Sequence, residues 1–267
     1  MKNEIIRKCE RAHYFMQLSS YFSELSDLPG ISFAYSRLVS DTWYNQAYNI
    51  HDLSSNDHIL QRSFDYFGKH DRETCFYLTP ATTPLYFAEF LKRNGFVEFD
   101  AEAWMFFDFS KIFKSEIGPK ITIKEVTEND LELLGEVYCK TLPGPEVNEY
   151  VQCVKNGYLS HPPLVDIQYY IAFYDGHPVG MLSLLSFEKY SGLYAVAVDE
   201  NYKNKVICKS LVSTAVSVCK KRGTEYLFLQ TGDGEDSQKA FEHMNFKTEF
   251  VRIGYVRESS INDIQHG

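Results

Sequence analysis

Long apolar runs are missing from this sequence. No stretch of about 18 apolar residues occurs in it, so no membrane span is predicted. The N-terminus has no apolar run long enough for a signal peptide, and the expectation is a cytoplasmic chain with no membrane partner. The six cysteines form no C-x-x-C pair, and none has a histidine at zinc-ligand spacing. Free thiols in a reducing compartment are expected, with no metal. Positive charge is also scarce. The formal net charge of −9 argues against phosphate-backbone binding, so no nucleic-acid partner is expected. It permits a cationic substrate such as an amine, although an acidic surface is commonly a solubility device.

Aromatic residues, by contrast, are abundant. Twenty Phe and 19 Tyr can fill a large core, and 267 residues exceed the usual size of one domain. A polar stretch at residues 113–120, containing Gly118-Pro119, is the best boundary. It predicts one domain over residues 1–115 and a second over 119–258.

The second half reads clearly. Ile121 begins a short strand, and Thr127 with Asp130 forms a capping-box pattern before apolar residues at helical spacing. Pro145 to Lys155 reads as a second helix. Strands follow over 167–174, 178–187 and 192–198, with Asp175-Gly176 as a hairpin turn. A polar loop leads into a helix from about Lys205 to Arg222, stopped by Gly223. A strand over 226–230, a helix over 237–243 and a strand over 248–255 complete the half. In the first half, residues 4–25 and 84–92 read as helices, and 76–78 and 103–109 as strands. An internal repeat is visible at an offset of 150 residues: Phe76 falls on Tyr226, and the run Phe90–Phe96 falls on Ala240–Phe246.

The loop after Val198 carries the chemistry. A helix starting near Lys205 presents unpaired amide N–H groups and a positive dipole end, the natural seat of a phosphate. Lys203, Lys205 and Lys209 add positive field. Taken alone, the segment also fits an ordinary strand-to-helix connection with solvated lysines.

The order of elements over residues 121–257 resembles the GNAT N-acetyltransferase superfamily. Gly176 to Gly180 looks like that family's hairpin, and Val198 with Tyr202-Lys203 sits where the family has its Val-x-Pro-x-Tyr-Arg. Residues 203–208 occupy its pyrophosphate loop, and Phe241 to Phe246 its Tyr-x-x-x-Gly-Phe. The resemblance implies an α+β fold of two GNAT-like domains, each a mostly antiparallel sheet flanked by helices, the N-terminal copy degenerate. It implies acetyl-CoA as cofactor, held by Val196, Ala197, Val198, Lys203, Asn204, Lys205, Val206, Ile207, Cys208 and Lys209. The acceptor would be a small-molecule or peptide amine, with a homodimer one option for the assembly. There are departures from the family pattern. Val206 replaces a glycine and could crowd the phosphates, Cys208 replaces a small residue, and Phe241 replaces the tyrosine that protonates the leaving thiolate. Phenylalanine cannot donate. Catalytic expectations fall on Glu188 as base and on Phe241 beside the thioester, with Tyr190, Tyr226, Asp166 and His161 as weaker candidates. Two rivals remain: a non-catalytic acyl-CoA sensor or scaffold, and an aminoacyl-tRNA-dependent transferase, against which the net acidity counts.

Overall fold

The computed structural model describes residues 1–51, 55–84, 86–113, 117–142, 147–203 and 206–260. It is a mixed α+β structure. The first half contains α1 (Asn3–Met16), β1 (Glu24–Leu28), β2 (Ile31–Tyr35), β3 (Asn45–Tyr48), α2 (Asn56–Lys69), β4 (Phe76–Leu78), α3 (Phe87–Arg93) and β5 (Phe96–Phe107). The second contains β6 (Ile121–Glu125), α4 (Leu131–Thr141), α5 (Val147–Ser160), β7 (Val165–Tyr174), β8 (His177–Phe187), β9 (Tyr190–Val198), α6 (Ile207–Arg222), β10 (Tyr226–Gly232), α7 (Asp236–Glu242) and β11 (Phe246–Arg257).

The repeat extends to backbone detail. At the offset of 150 residues, β5 falls on β11 and Phe76 on Tyr226. Gly95 and Asn245, counterparts in the repeat, both end a helix in the left-handed conformation, at φ 79° and 66°. Glycine and asparagine are the residues that tolerate this cap. Two main-chain hydrogen bonds are also counterparts: Glu258 N–H donates to the Gly95 carbonyl, and Asp108 N–H to that of Asn245.

Two compact units form. The first is built from residues 1–104, 231–238 and 248–267, the second from 105–230 and 239–247. The expectation placed residues 119–258 in one domain, yet the greater part of β11 packs with the first unit. There it pairs antiparallel with β4, matching Tyr255 to Phe76, and it also neighbours β5. The first unit's sheet runs β1-β2-β3-β4-β11-β5. Its core joins Phe33, Phe67, Phe76, Phe87, Phe96 and Tyr255. One expectation needs correction: the helix predicted over 4–25 ends at Met16, where Gln17 breaks the helical angles and Ser19 turns left-handed at φ 72°, and β1 follows from Glu24.

In the second unit the strands run β10-β9-β8-β7-β6. All pairs are antiparallel except β9–β10, which is parallel. Asp175 and Gly176 both take positive φ, as the tight β7–β8 turn demands. The capping box is present: Thr127 N–H and Oγ1 both donate to Asp130 Oδ2, at 3.0 and 2.7 Å. Among the described residues, no helix is long and apolar enough to cross a membrane, and no group of three His, Cys, Asp or Glu could hold a metal.

Candidate acyl-CoA site

Strands β9 and β10 pair only at Tyr190–Gly192 with Tyr226–Phe228. The remaining six residues of β9, Leu193–Val198, run on past the last pair. Within that stretch the ladder to β8 slips by one residue, since Ser183 faces Tyr194 whereas Met181 faces Ala197. Ala195, inside the bulge, has φ 47°. A bulge bends and twists its strand. The result is an open wedge beside Val196, Ala197 and Val198, where an extended ligand can lie along strand backbone.

The wedge leads to the start of α6. Asp199 is 4% exposed and anchors the turn. Its carboxylate accepts from Asn201 N–H at 2.9 Å and lies 2.6 Å from Lys140 Nζ on α4. That lysine, with the Asn201 amide, holds the Asp199 carboxyl below the usual range. Val206 then takes φ 51° directly before Ile207, and no side chain caps the helix there. Val206 thus adopts the left-handed conformation that glycine would supply, and its side chain is 51% exposed. Ile207 is fully buried and anchors the first turn in the core, leaving the leading N–H groups of α6 without helical partners. Lys203 lies 2.8 Å from Glu200, in an exposed pair. Cys208 is half-buried, and burial pushes its thiol up to about 11, so it packs and is not an activated nucleophile. Asn204 and Lys205 lie outside the described residues.

Glu188, expected as the base, lies away from the wedge. Glu188 is exposed in the two-residue turn between β8 and β9, with φ 51°. Tyr190, just after that turn, is five residues from the bulge at Ala195, or about 16 Å of strand. The weaker candidates are tied up elsewhere. Asp166 accepts from Arg222 at 2.8 Å, and Tyr190 stacks on Tyr226 at 5.4 Å with Lys189 over both rings. His161 lies in the α5–β7 connection, with Nδ1 3.2 Å from the Pro162 carbonyl. Phe241 is 9% exposed and packs edge-on against Phe246 at 5.7 Å. Sequence reading missed the bulge at Ala195 and the Asp199–Lys140 anchor. A bulge has no composition signal of its own, and Lys140 lies far from Asp199 in sequence.

The wedge has a counterpart in the first unit, and it is closed. Strand β3 has four residues and meets β4 through Ala47, next to its last residue. Beyond it, Thr83 N–H donates to the Ile50 carbonyl at 3.0 Å, and Arg7 Nη2 to that of Ala81 at 2.8 Å. No length of strand is left for a ligand to pair with.

The second unit thus combines a splayed parallel strand pair, a bulge and an uncapped helix start in an α+β fold. Residues 132–246 match the acetyltransferase (GNAT) family, whose acyl donor is acetyl-CoA. The full chain is similar in fold to a GCN5-related N-acetyltransferase from Kribbella flavida, at TM-score 0.72 and 12% identity, covering 95% of each chain. It is similar also to a GCN5-related N-acetyltransferase from Sphaerobacter thermophilus, at TM-score 0.64 and 11% identity, over 85% of this chain and 76% of that one. A tandem GNAT protein from the clavulanic acid biosynthesis pathway matches at TM-score 0.61 and 10% identity, over 84% and 77%. No curated protein matches the sequence.

Proposed function

We propose that the second unit is an acetyl-CoA-dependent N-acetyltransferase acting on a small-molecule or peptide amine by direct attack. The observation that carries this reading is the wedge between β9 and β10 running into the left-handed residue and open N-terminus of α6. Acetyl-CoA supplies an acyl carbon activated as a thioester. Backbone of Val196, Ala197 and Val198 would hold its extended arm, and the N–H groups of Val206 to Cys208 its pyrophosphate, with Lys203 and Lys209 adding positive charge. In transfer, the neutral amine nitrogen forms the new C–N bond, the C–S bond breaks, and the thiolate leaves. The proton lost by nitrogen goes to solvent or to the departing thiolate, so the balance needs no further co-reactant. A thiol pKa of about 8.5 makes thiolate a fair leaving group, and Phe241 in place of a donor predicts a slow enzyme, not an inert one.

A non-catalytic acyl-CoA sensor is the second reading, favoured by Phe241, which carries no hydroxyl. Turnover separates the two, since a sensor binds acetyl-CoA without releasing free thiol from it.

Binding of the cofactor is tested by thermal shift. Acetyl-CoA at 100 times its dissociation constant should stabilise the protein by about 2.7 kcal/mol. Lys203→Glu should weaken binding more than Lys221→Glu. Because Glu200 already neutralises Lys203, Glu200→Gln should tighten CoA binding severalfold. Equal effects at Lys203 and Lys221 would sink the specific phosphate site. No shift at millimolar CoA would sink the acetyltransferase reading.

A further inference from the structure

Three polar side chains stand in one row across the second unit's sheet. Ser183 on β8 is the register partner of Tyr194 on β9. Tyr194 lies two residues beyond Gly192, and Gln230 on β10 two beyond Phe228, where Gly192 and Phe228 form the last β9–β10 pair. Side chains alternate along strands, so Gly192, Tyr194, Phe228 and Gln230 share one face. That face looks towards α5: Tyr169, the β7 partner of Ser183, donates its hydroxyl to the Val154 carbonyl at 3.1 Å. The opposite face carries Ser191, whose hydroxyl meets Thr224 just past α6, at 3.0 Å. The row therefore crosses the wedge on the side away from α6.

Two members of the row hold buried groups with no partner. Ser183 is 1% exposed and its hydroxyl has none. The amide nitrogen of Gln230 is buried in the same state. Protein interiors rarely leave such groups unpaired, and a site that binds a ligand there is one reason to keep them. Gly192 provides the third element. A Cβ at that position would lie 2.5 Å from the Tyr194 hydroxyl, so glycine alone lets the phenol fold back over the point where the strands part. The rest of the row's face on β8, β9 and β10 carries Met181, Leu185, Ala197 and Phe228, with Tyr190 and Tyr226 towards the β8–β9 turn. None of these strand positions is a carboxylate.

We propose that Ser183, Tyr194 and Gln230 form the acceptor subsite, and that it takes an amine with a carbonyl or carboxylate on the adjacent carbon, as in a peptide N-terminus or free amino acid. The inference rests on the acetyltransferase reading above. Gln230 N–H and Ser183 O–H donate to the acceptor's oxygen, and the Tyr194 hydroxyl faces its nitrogen. A diamine or polyamine needs a carboxylate for its second ammonium, and the row offers none.

The test uses full-length protein with glycylglycine as probe and putrescine as control. Saturation-transfer NMR in the presence of saturating CoA reads acceptor binding, and thiol release from acetyl-CoA reads transfer. Glycylglycine should bind and be acetylated in preference to putrescine. Gln230→Leu and Ser183→Ala should each weaken dipeptide binding about tenfold while CoA affinity stays unchanged. Gly192→Ala, which displaces the Tyr194 hydroxyl without removing it, should lower transfer as Tyr194→Phe does. If CoA binds but putrescine is preferred, or glycylglycine does not bind, or Gln230→Leu binds it as well as the parent does, the subsite is wrong and the cofactor reading stands. If CoA itself fails to bind, both fall together.

Discussion

Val206 shows how one residue can keep a loop's shape while departing from the expected chemistry. A β-branched side chain at φ 51° is a rare and strained state. At 51% exposure its side chain gains little from burial to offset that backbone strain. Left-handed backbone at a residue other than glycine costs on the order of 1–3 kcal/mol. Val206→Gly removes that strain and adds backbone entropy to the unfolded chain, so it should be neutral or stabilising by up to about 1 kcal/mol. The control is Ser217→Gly, on the exposed face of the same helix, which should destabilise by about 0.5 kcal/mol. Urea unfolding of the two variants measures the contrast. Equal losses would mean that Val206 is not strained in solution.

At the scale of elements, α1 buries three polar side chains against the first unit's sheet: Glu10, His13 and Tyr14. Arg252 of β11 is 2% exposed beside them. It lies 2.6 Å from Glu102, donates to the Tyr14 hydroxyl at 2.8 Å, and has its guanidinium 4.1 Å from the centre of the Tyr77 ring. Burial pushes the Glu10 carboxyl up to about 7, against a partial lowering by Arg252. The sign follows from proton counting. Between about pH 4.5 and 7 the folded protein holds a proton that the unfolded chain has lost, so stability falls as pH rises through this window. The rise from the ordinary carboxyl value to about 7 sets an upper bound of roughly 3 kcal/mol. Glu10→Gln should flatten the unfolding free energy between pH 5 and 8 and stabilise the protein most at the alkaline end. A slope unchanged by the substitution would assign the pH dependence to other groups.

Why some elements were legible and others were not follows from the same packing. Helices α4 and α6 and the strands of the β7–β9 meander keep periodic apolar faces and clear turn residues, so their positions could be read. Strands β2 and β3 are buried on both faces and show no alternation. In β3, Asn45 and Gln46 are polar yet buried, satisfied by the carbonyls of Val39, Asp41 and Trp43. Such a segment reads as a loop until its partners are known. The strand, loop and helix proposed to cradle a phosphate could be read because they are local, within about a dozen residues. Ser183, Tyr194 and Gln230 were not, because only the register of three strands brings them into one row. Glu188 was chosen for nearness in sequence to β9, and it sits at the end of that strand opposite the bulge.

For the molecule as a whole, the two halves of the sequence are not self-contained. The first unit needs the end of the chain, because β11 stands between β4 and β5 in its sheet. From β11, Tyr255 joins the core of Phe76 and Phe96, and Val256 packs with Cys75 and Tyr77. Phe250 stacks on Trp104 at 5.2 Å. Burying three such side chains contributes about 1.5–3 kcal/mol each, or roughly 5–9 together, against a typical domain stability of about 5–15 kcal/mol. Arg252 adds to the loss, since without it Glu102 and Glu10 lose the nearby positive charge in the interior. A chain ending at Asn245 should therefore lose the tertiary structure of its first unit, seen as a collapse of near-UV circular dichroism and rapid proteolysis within residues 1–104. A fragment of residues 1–115 should fare no better alone, but adding a peptide of residues 246–260 in excess should restore part of the signal by supplying the missing strand. If fragment 1–115 instead shows a cooperative unfolding transition without the peptide, the first unit is self-sufficient and β11 is only an addition to its edge.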